Sequence, residues 1–158
     1  MEKLFMQEFF DICSEIESTM CLIYRRMAHA MRGNEKLQEL MLQLAKDEAD
    51  HANQVRYARV LPQSESFAGV KIGKSRLELL LLKAQSLLRD LENDPPTEKH
   101  ALLKAIELEE EFIGVHVGTA VEFKDEKLKE RFSMLARDDE KHVGTLRAYF
   151  NAFYSPVT

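Results

Sequence analysis

Apolar residues recur every three or four positions along nearly the whole chain, a helical rather than a strand period. The first such stretch runs from about Lys3 to Met31, with Phe9, Phe10, Cys13, Ile16, Met20, Ile23, Tyr24, Met27 and Met31 on one side, and Arg32-Gly33-Asn34 breaks it. A second, from about Glu35 to Val60, buries Leu37, Leu40, Met41, Leu44, Ala52, Val55 and Ala58. So short a break predicts an antiparallel hairpin. Between Leu61 and Gly73 the pattern lapses into Pro62, Ser64, Ser66, Gly69 and Gly73, a connection without a long helix. Ser75-Arg-Leu-Glu78 has the form of a capping box opening a shorter helix through Leu77, Leu80, Leu81, Ala84, Leu87, Leu88 and Leu91, which Asn93-Asp94-Pro95-Pro96 ends. A further long helix is expected to run to about Phe123, Lys124-Asp125 to make a second tight break, and the last helix to run from about Glu126 to Tyr149 before fraying through Ser155-Pro156. The fold class is therefore all-α: a four-helix bundle of two antiparallel hairpins, joined by a long crossover that contains an extra helix.

Composition narrows the possibilities. A chain of 158 residues with 45% apolar content can build its core as one domain spanning 1–158. With 27 acidic against 22 basic residues the net charge is −5, which argues against a nucleic-acid partner. Cys13 and Cys21 lie on the apolar side of one helix, too far apart to bridge, and read as reduced core residues. No apolar run approaches the roughly 20 residues that span a bilayer, and acidic residues interrupt the amino-terminal stretch where a secretory signal would be, so a cytoplasmic location without membrane contact is expected. Leu79 and Leu82 extend the leucine face of the crossover helix; that face either meets a second subunit in a homodimer or is covered within one chain.

The candidate chemistry lies in a repeat. Leu44-Ala-Lys-Asp-Glu48-Ala-Asp-His51 returns as Leu135-Ala-Arg-Asp-Asp139-Glu-Lys-His142, and Glu35/Glu126, Lys36/Lys127, Leu37/Leu128 and Glu39/Glu130 are identical just upstream. Such self-similarity marks a repeated structural unit. Residues three apart share a helix face, so each carboxylate-x-x-His pair can converge on one ion, and two copies imply two ions. Glu48, His51, Asp139 and His142 all fall on apolar stripes. Inward carboxylates need compensating positive charge, and few Lys or Arg residues point inward to supply it. On the first helix Glu17 shares the stripe of Cys13, Met20, Cys21 and Tyr24, whereas Glu15 keeps polar company. On the third bundle helix, aligning the halves pairs Glu17 with Glu109 and Tyr24 with His116; Glu107 is the runner-up, and Glu110 and Glu111 read as solvated. The expected metal ligands are Glu17, Glu48, His51, Glu109, Asp139 and His142. Oxygen and imidazole donors suit iron or manganese, zinc can also occupy such a site, and the lack of thiolates argues against an iron–sulfur cluster. His116 is expected to be a satisfied core histidine or a support for a ligand ahead of a ligand itself, while His29 and His100 read as surface residues.

With these motifs the chain resembles the rubrerythrin branch of the ferritin-like di-iron carboxylate proteins. The resemblance rests on Glu17-Ser18 followed by Tyr24, on Glu48-x-x-His51, on an inward Glu in the third bundle helix, and on Asp139-x-x-His142. It implies that Glu48 and Asp139 bridge two iron ions, that Glu17 and Glu109 bind one ion each, that each His completes one ion, and that Tyr24 supports a ligand by hydrogen bonding. Asp139 departs from the usual Glu, and the position three residues on, where an additional Glu often stands, is Phe112 if Glu109 is the ligand and Glu110 if Glu107 is. The chain carries no paired Cys-x-x-Cys motifs, so a separate electron-donor protein is expected. The implied activity is reduction of hydrogen peroxide by a di-iron oxidoreductase. Two alternatives are an iron-binding, ferroxidase or storage protein that works with dioxygen or peroxide, and a structural bundle with a degenerate metal site.

Overall fold

The computed structural model describes residues 6–30 and 33–154. Lys3, Met31, Arg32 and the Ser155-Pro156 segment lie outside the described residues. Nine elements follow in order: α1 (Met6–Ala30), α2 (Glu35–Arg59), α3 (Gln63–Ser66), β1 (Phe67–Val70), α4 (Lys74–Asn93), α5 (Glu98–Val115), α6 (Val117–Ala120), β2 (Val121–Phe123) and α7 (Glu126–Tyr154). The architecture is the expected all-α, ferritin-like bundle: α1 packs on α2, α5 on α7, and α4 bridges the hairpins by packing on both α1 and α5.

Ion pairs set the helix directions. Arg59 at the end of α2 meets Asp11 near the start of α1, so the first hairpin is antiparallel. Lys74 pairs with Glu8 at 2.8 Å and Arg26 with Glu92 at 3.6 Å, joining start to start and end to end, so α4 runs parallel to α1. This is the crossover. The helices of the two motifs begin alike, each with an Asx cap. The Asn34 side chain accepts from Leu37 N at 3.3 Å, and Asp125 Oδ1 accepts from Lys127 N at 2.9 Å. Each satisfies an amide that the first helical turn leaves without an intrahelical partner.

Three expectations need correction. The Ser75 capping box does not form: α4 starts two residues earlier with Gly73 as its cap, where Lys74 pairs with Glu8 and also reaches Glu78 at 3.7 Å. The connection after α2 holds no long helix, as expected, and contains the short α3 and β1. The third bundle helix stops at Val115 instead of Phe123, and β2 pairs antiparallel with β1 in the register Phe67↔Phe123 and Val70↔Val121. The last helix continues to Tyr154 rather than ending at Tyr149. Its final turns carry tilted ring pairs, Tyr149 with Phe153 at 4.5 Å and Phe150 with Tyr154 at 5.3 Å, and Tyr149 accepts from Asn34 at 2.8 Å.

The small ribbon closes one end of the bundle. A run of rings, Phe10 to Phe67 at 5.0 Å, Phe67 to Phe123 at 5.7 Å and Phe123 to Phe132 at 5.8 Å, ties α1, both strands and α7 together. On α4, Leu77, Leu80, Ala84, Leu87 and Leu91 are buried, while Leu79 and Leu82 are 55% and 59% exposed, so the chain itself leaves the outer leucine face uncovered. No described helix is long and apolar enough to cross a membrane.

Candidate metal centre

Midway along the bundle the four long bundle helices turn their carboxylates toward one another. Glu17, Glu48 and Asp139 are 0% exposed, Glu109 1%, His51 2% and His142 6%. All six residues expected from the sequence are thus buried in one place. Glu107, the runner-up, is exposed and faces Lys104 at 3.5 Å, and Glu15 is exposed as well.

Potential ligand atoms gather in two overlapping groups, each within 4.8 Å: Glu17, His51, His116 and Asp139 in one, Glu48, Glu109, Asp139 and His142 in the other. Asp139 belongs to both. Its Oδ1 lies 3.4 Å from His51 Nδ1 and 3.5 Å from His142 Nδ1, so the shorter side chain still reaches the midline. Glu48 Oε1 lies 3.2 Å from His142 Nδ1, and Glu17 Oε2 3.6 Å from His51 Nδ1. Only Asp139 is common to the two groups, whereas the resemblance implies a bridging role for Glu48 too.

Both histidines therefore turn Nδ1 inward. Their outer nitrogens meet aspartates that sequence reasoning did not assign: His142 Nε2 lies 3.0 Å from Asp47 Oδ2, and His51 Nε2 3.6 Å from Asp138 Oδ2. Each histidine faces the aspartate of the opposite motif, His142 within hydrogen-bond distance and His51 at a looser ion-pair distance, since α2 and α7 run antiparallel past each other. A signal was present in the sequence, because Asp47 and Asp138 are identical positions of the repeat. Such a partner fixes the proton on the outer nitrogen and frees the inner one for a cation. Tyr24 Oη donates to Glu109 Oε1 at 2.6 Å, from the first hairpin to the second.

The electrostatics are those of a site short of positive charge. Burial, followed by the charge of Asp139, pushes Glu17 up from 4.5 to about 7. Glu48 and Glu109 are also raised well above the usual carboxylate range, by burial first and then by their acidic neighbours. Burial alone would lower both ligand-type histidines, but Asp139 and Glu17 push His51 up to about 12, and Asp139 and Glu48 push His142 up to about 11. Burial opposes ionisation of Asp139, yet His142 and His51 hold it below its ordinary value. Burial also lowers His116.

Both oxygens of Glu17 and of Asp139, one each of Glu48 and Glu109, and His51 Nδ1 have no hydrogen-bond partner among the described residues. Desolvating a charge costs on the order of several kcal/mol per ion, so such a cluster is stable only if protons or cations compensate it. The donor set, carboxylates plus imidazoles without thiolates, fits a pair of divalent ions of the iron, manganese or zinc type. Cys13 and Cys21 are free thiols outside both groups. A surface hollow of about 400 Å³ between α4 and α5 is lined by Lys83, His100, Lys104 and Glu111 among others and includes none of the buried cluster.

The sequence model of the Rubrerythrin family matches residues 8–67. The match takes in α1 and α2, hence Glu17, Tyr24, Glu48 and His51, and ends as β1 begins. No curated protein and no solved structure matches the chain.

Proposed function

We propose that this chain, a rubrerythrin-like member of the ferritin-like proteins, holds two iron ions in the buried cluster and reduces hydrogen peroxide with electrons from a separate donor protein. The observation that supports this most directly is the set of inward oxygen and nitrogen atoms without protein partners, arranged in two groups that share Asp139. Bound iron would supply the two electrons for the redox chemistry. The O–O bond of peroxide breaks, two electrons and two protons are taken up, and two waters leave; the external donor then restores the electrons.

The chain's own residues bind, orient and exclude water. Glu17 and His51 would hold one ion and Glu48, Glu109 and His142 the other, with Asp139 common to both groups. Asp47 and Asp138 keep the imidazoles turned inward, and Tyr24 keeps Glu109 from rotating. Ile16, Met20, Leu44, Ala52, Phe112 and Leu135 are buried along the same helices and exclude bulk water, which strengthens every interaction within the site.

Stopped-flow mixing of peroxide with the anaerobically Fe(II)-loaded protein tests the reading. Rapid appearance of a ferric spectrum is expected, and its loss in a Glu48→Ala/Asp139→Ala variant. Equal rates in the two proteins overturn the peroxidase assignment. Faster oxidation by dioxygen, with iron accumulating far beyond two per chain, points to ferroxidase or storage instead.

A further inference from the structure

His116 occupies the break between α5 and α6, is 0% exposed, and packs edge-on against Phe112 at 5.2 Å. Its Nε2 lies 3.2 Å from Glu17 Oε1 and 3.4 Å from Asp139 Oδ2, between the two and aligned with neither. Proximity alone would make it a third imidazole ligand. The other side of the ring says otherwise. His116 Nδ1 accepts the backbone N–H of Gly118 at 3.1 Å. A nitrogen that accepts from an amide presents its lone pair there, so in the neutral ring the proton sits on Nε2. A metal on Nε2 would require the proton on Nδ1, pointed at the Gly118 N–H, donor against donor.

The turn that imposes this is rigid. The His116 carbonyl accepts from Thr119 N at 2.9 Å and Ala120 N at 2.8 Å, and a Cβ on Gly118 would overlap the Phe132 carbonyl of α7, so Gly118 is pressed against that helix. The oxygens divide accordingly. Glu17 Oε1 and Asp139 Oδ2 face His116, while Glu17 Oε2 and Asp139 Oδ1 face His51 and His142. One oxygen of each carboxylate thus lies on the His116 side, and the other on the side of the remaining histidines. The repeat makes the same point: Tyr24 on α1 donates to Glu109 on α5, and the aligned His116 at the end of α5 faces the aligned Glu17 on α1.

We propose that His116 is a positioning residue and not a ligand: its Nε2–H, fixed on that nitrogen by the Gly118 amide, is shared between Glu17 and Asp139 as Tyr24 Oη–H serves Glu109. The two half-sites then have unlike supports, an imidazole N–H on one terminal carboxylate and a phenol O–H on the other. The consequence for ion binding rests on the dinuclear reading above; the tautomer does not.

Heteronuclear NMR of protein carrying nitrogen-labelled histidine decides it, with the His116 signal assigned by His116→Gln. In the metal-free protein His116 is expected as the neutral Nε2–H form, and on Zn(II) addition it keeps that proton while His51 and His142 shift. An Nδ1–H form in the metal-free protein, or loss of the Nε2 proton on loading, overturns the proposal. Protein that takes up no Zn(II) would count against the metal reading, yet its metal-free spectrum would still decide the tautomer. As a second readout, His116→Leu is expected to weaken Co(II) affinity about 10-fold or more without lowering the number of ions bound, with His116→Gln recovering most of the loss through its amide N–H. A drop of one ion per chain in both variants would instead make His116 a ligand.

Discussion

The crossed pairs Asp47 with His142 and Asp138 with His51 place the smallest functional unit of this molecule between motifs rather than within one. The contact at 3.0 Å is a charge-assisted hydrogen bond, and that at 3.6 Å is looser, with the Asp138 side chain 46% exposed against 34% for Asp47. Replacing Asp47 with Asn is therefore expected to weaken divalent-metal affinity by about 10- to 100-fold, and Asp138→Asn by less. Chelator competition on the Co(II)-loaded variants measures both; unchanged affinity in Asp47→Asn would refute the idea that these aspartates orient the ligands. Sequence periodicity could not assign that role. Asp47 and Glu48 point about 100° apart on their helix, so the partner of Asp47 becomes evident only once α7 is packed beside α2. The ligand-type residues were legible because each shares an apolar stripe with its own helix.

At the scale of elements, the ribbon and the short α6 decide where the third bundle helix stops. Val115, Val117, Ala120, Val121 and Phe123 supply enough apolar positions to extend a helical pattern, which is why the sequence reads as one helix to Phe123. Strands of four and three residues are too short to show a period of two. What reverses the reading is tertiary: Lys71 N bonds to Ala120 O at 2.8 Å and Lys124 N to Ser66 O at 2.9 Å, continuing the ribbon at both ends. The same break carries His116 into the site instead of one turn further along a straight helix. Gly118 makes this possible by lying against the α7 backbone. Gly118→Ala is expected to destabilise the fold by about 1–3 kcal/mol, because the group in the way is backbone and cannot rotate aside. Urea unfolding measures it, and a stability equal to that of the parent would mean that α6 is not pressed against α7 as described.

For the whole molecule, burying four carboxylates among three histidines links folding, protons and metal in one equilibrium. Glu17 titrates at 4.5 when free and at about 7 in the metal-free fold, so the folded state holds its proton more tightly. A carboxyl raised in this way contributes stability that is fully present below 4.5 and is lost as pH rises through about 7. At about 1.4 kcal/mol per pH unit, Glu17 alone accounts for a loss of about 3 kcal/mol. Glu48 and Glu109 are raised as well and act with the same sign. His51, raised from 6.5 to about 12, also favours the fold below 6.5 and loses that contribution as pH rises through about 12. Asp139 has the opposite sign, but its lowered value confines its effect to acid below that window, and His116, lowered by burial, opposes the trend only up to its ordinary 6.5 and is outweighed by the several raised groups. Divalent ions reverse the trend, since they replace the protons and bind the deprotonated ligands, so affinity climbs with pH. The melting temperature of chelator-treated protein is accordingly expected to fall from about pH 5.5 to about pH 8, while the gain on adding Zn(II) grows over the same range. Calorimetry in matched buffers checks both. A metal-free protein that becomes more stable across that interval would mean that its inward carboxylates are already compensated by groups other than protons, and the argument for a pair of ions would lose its electrostatic basis.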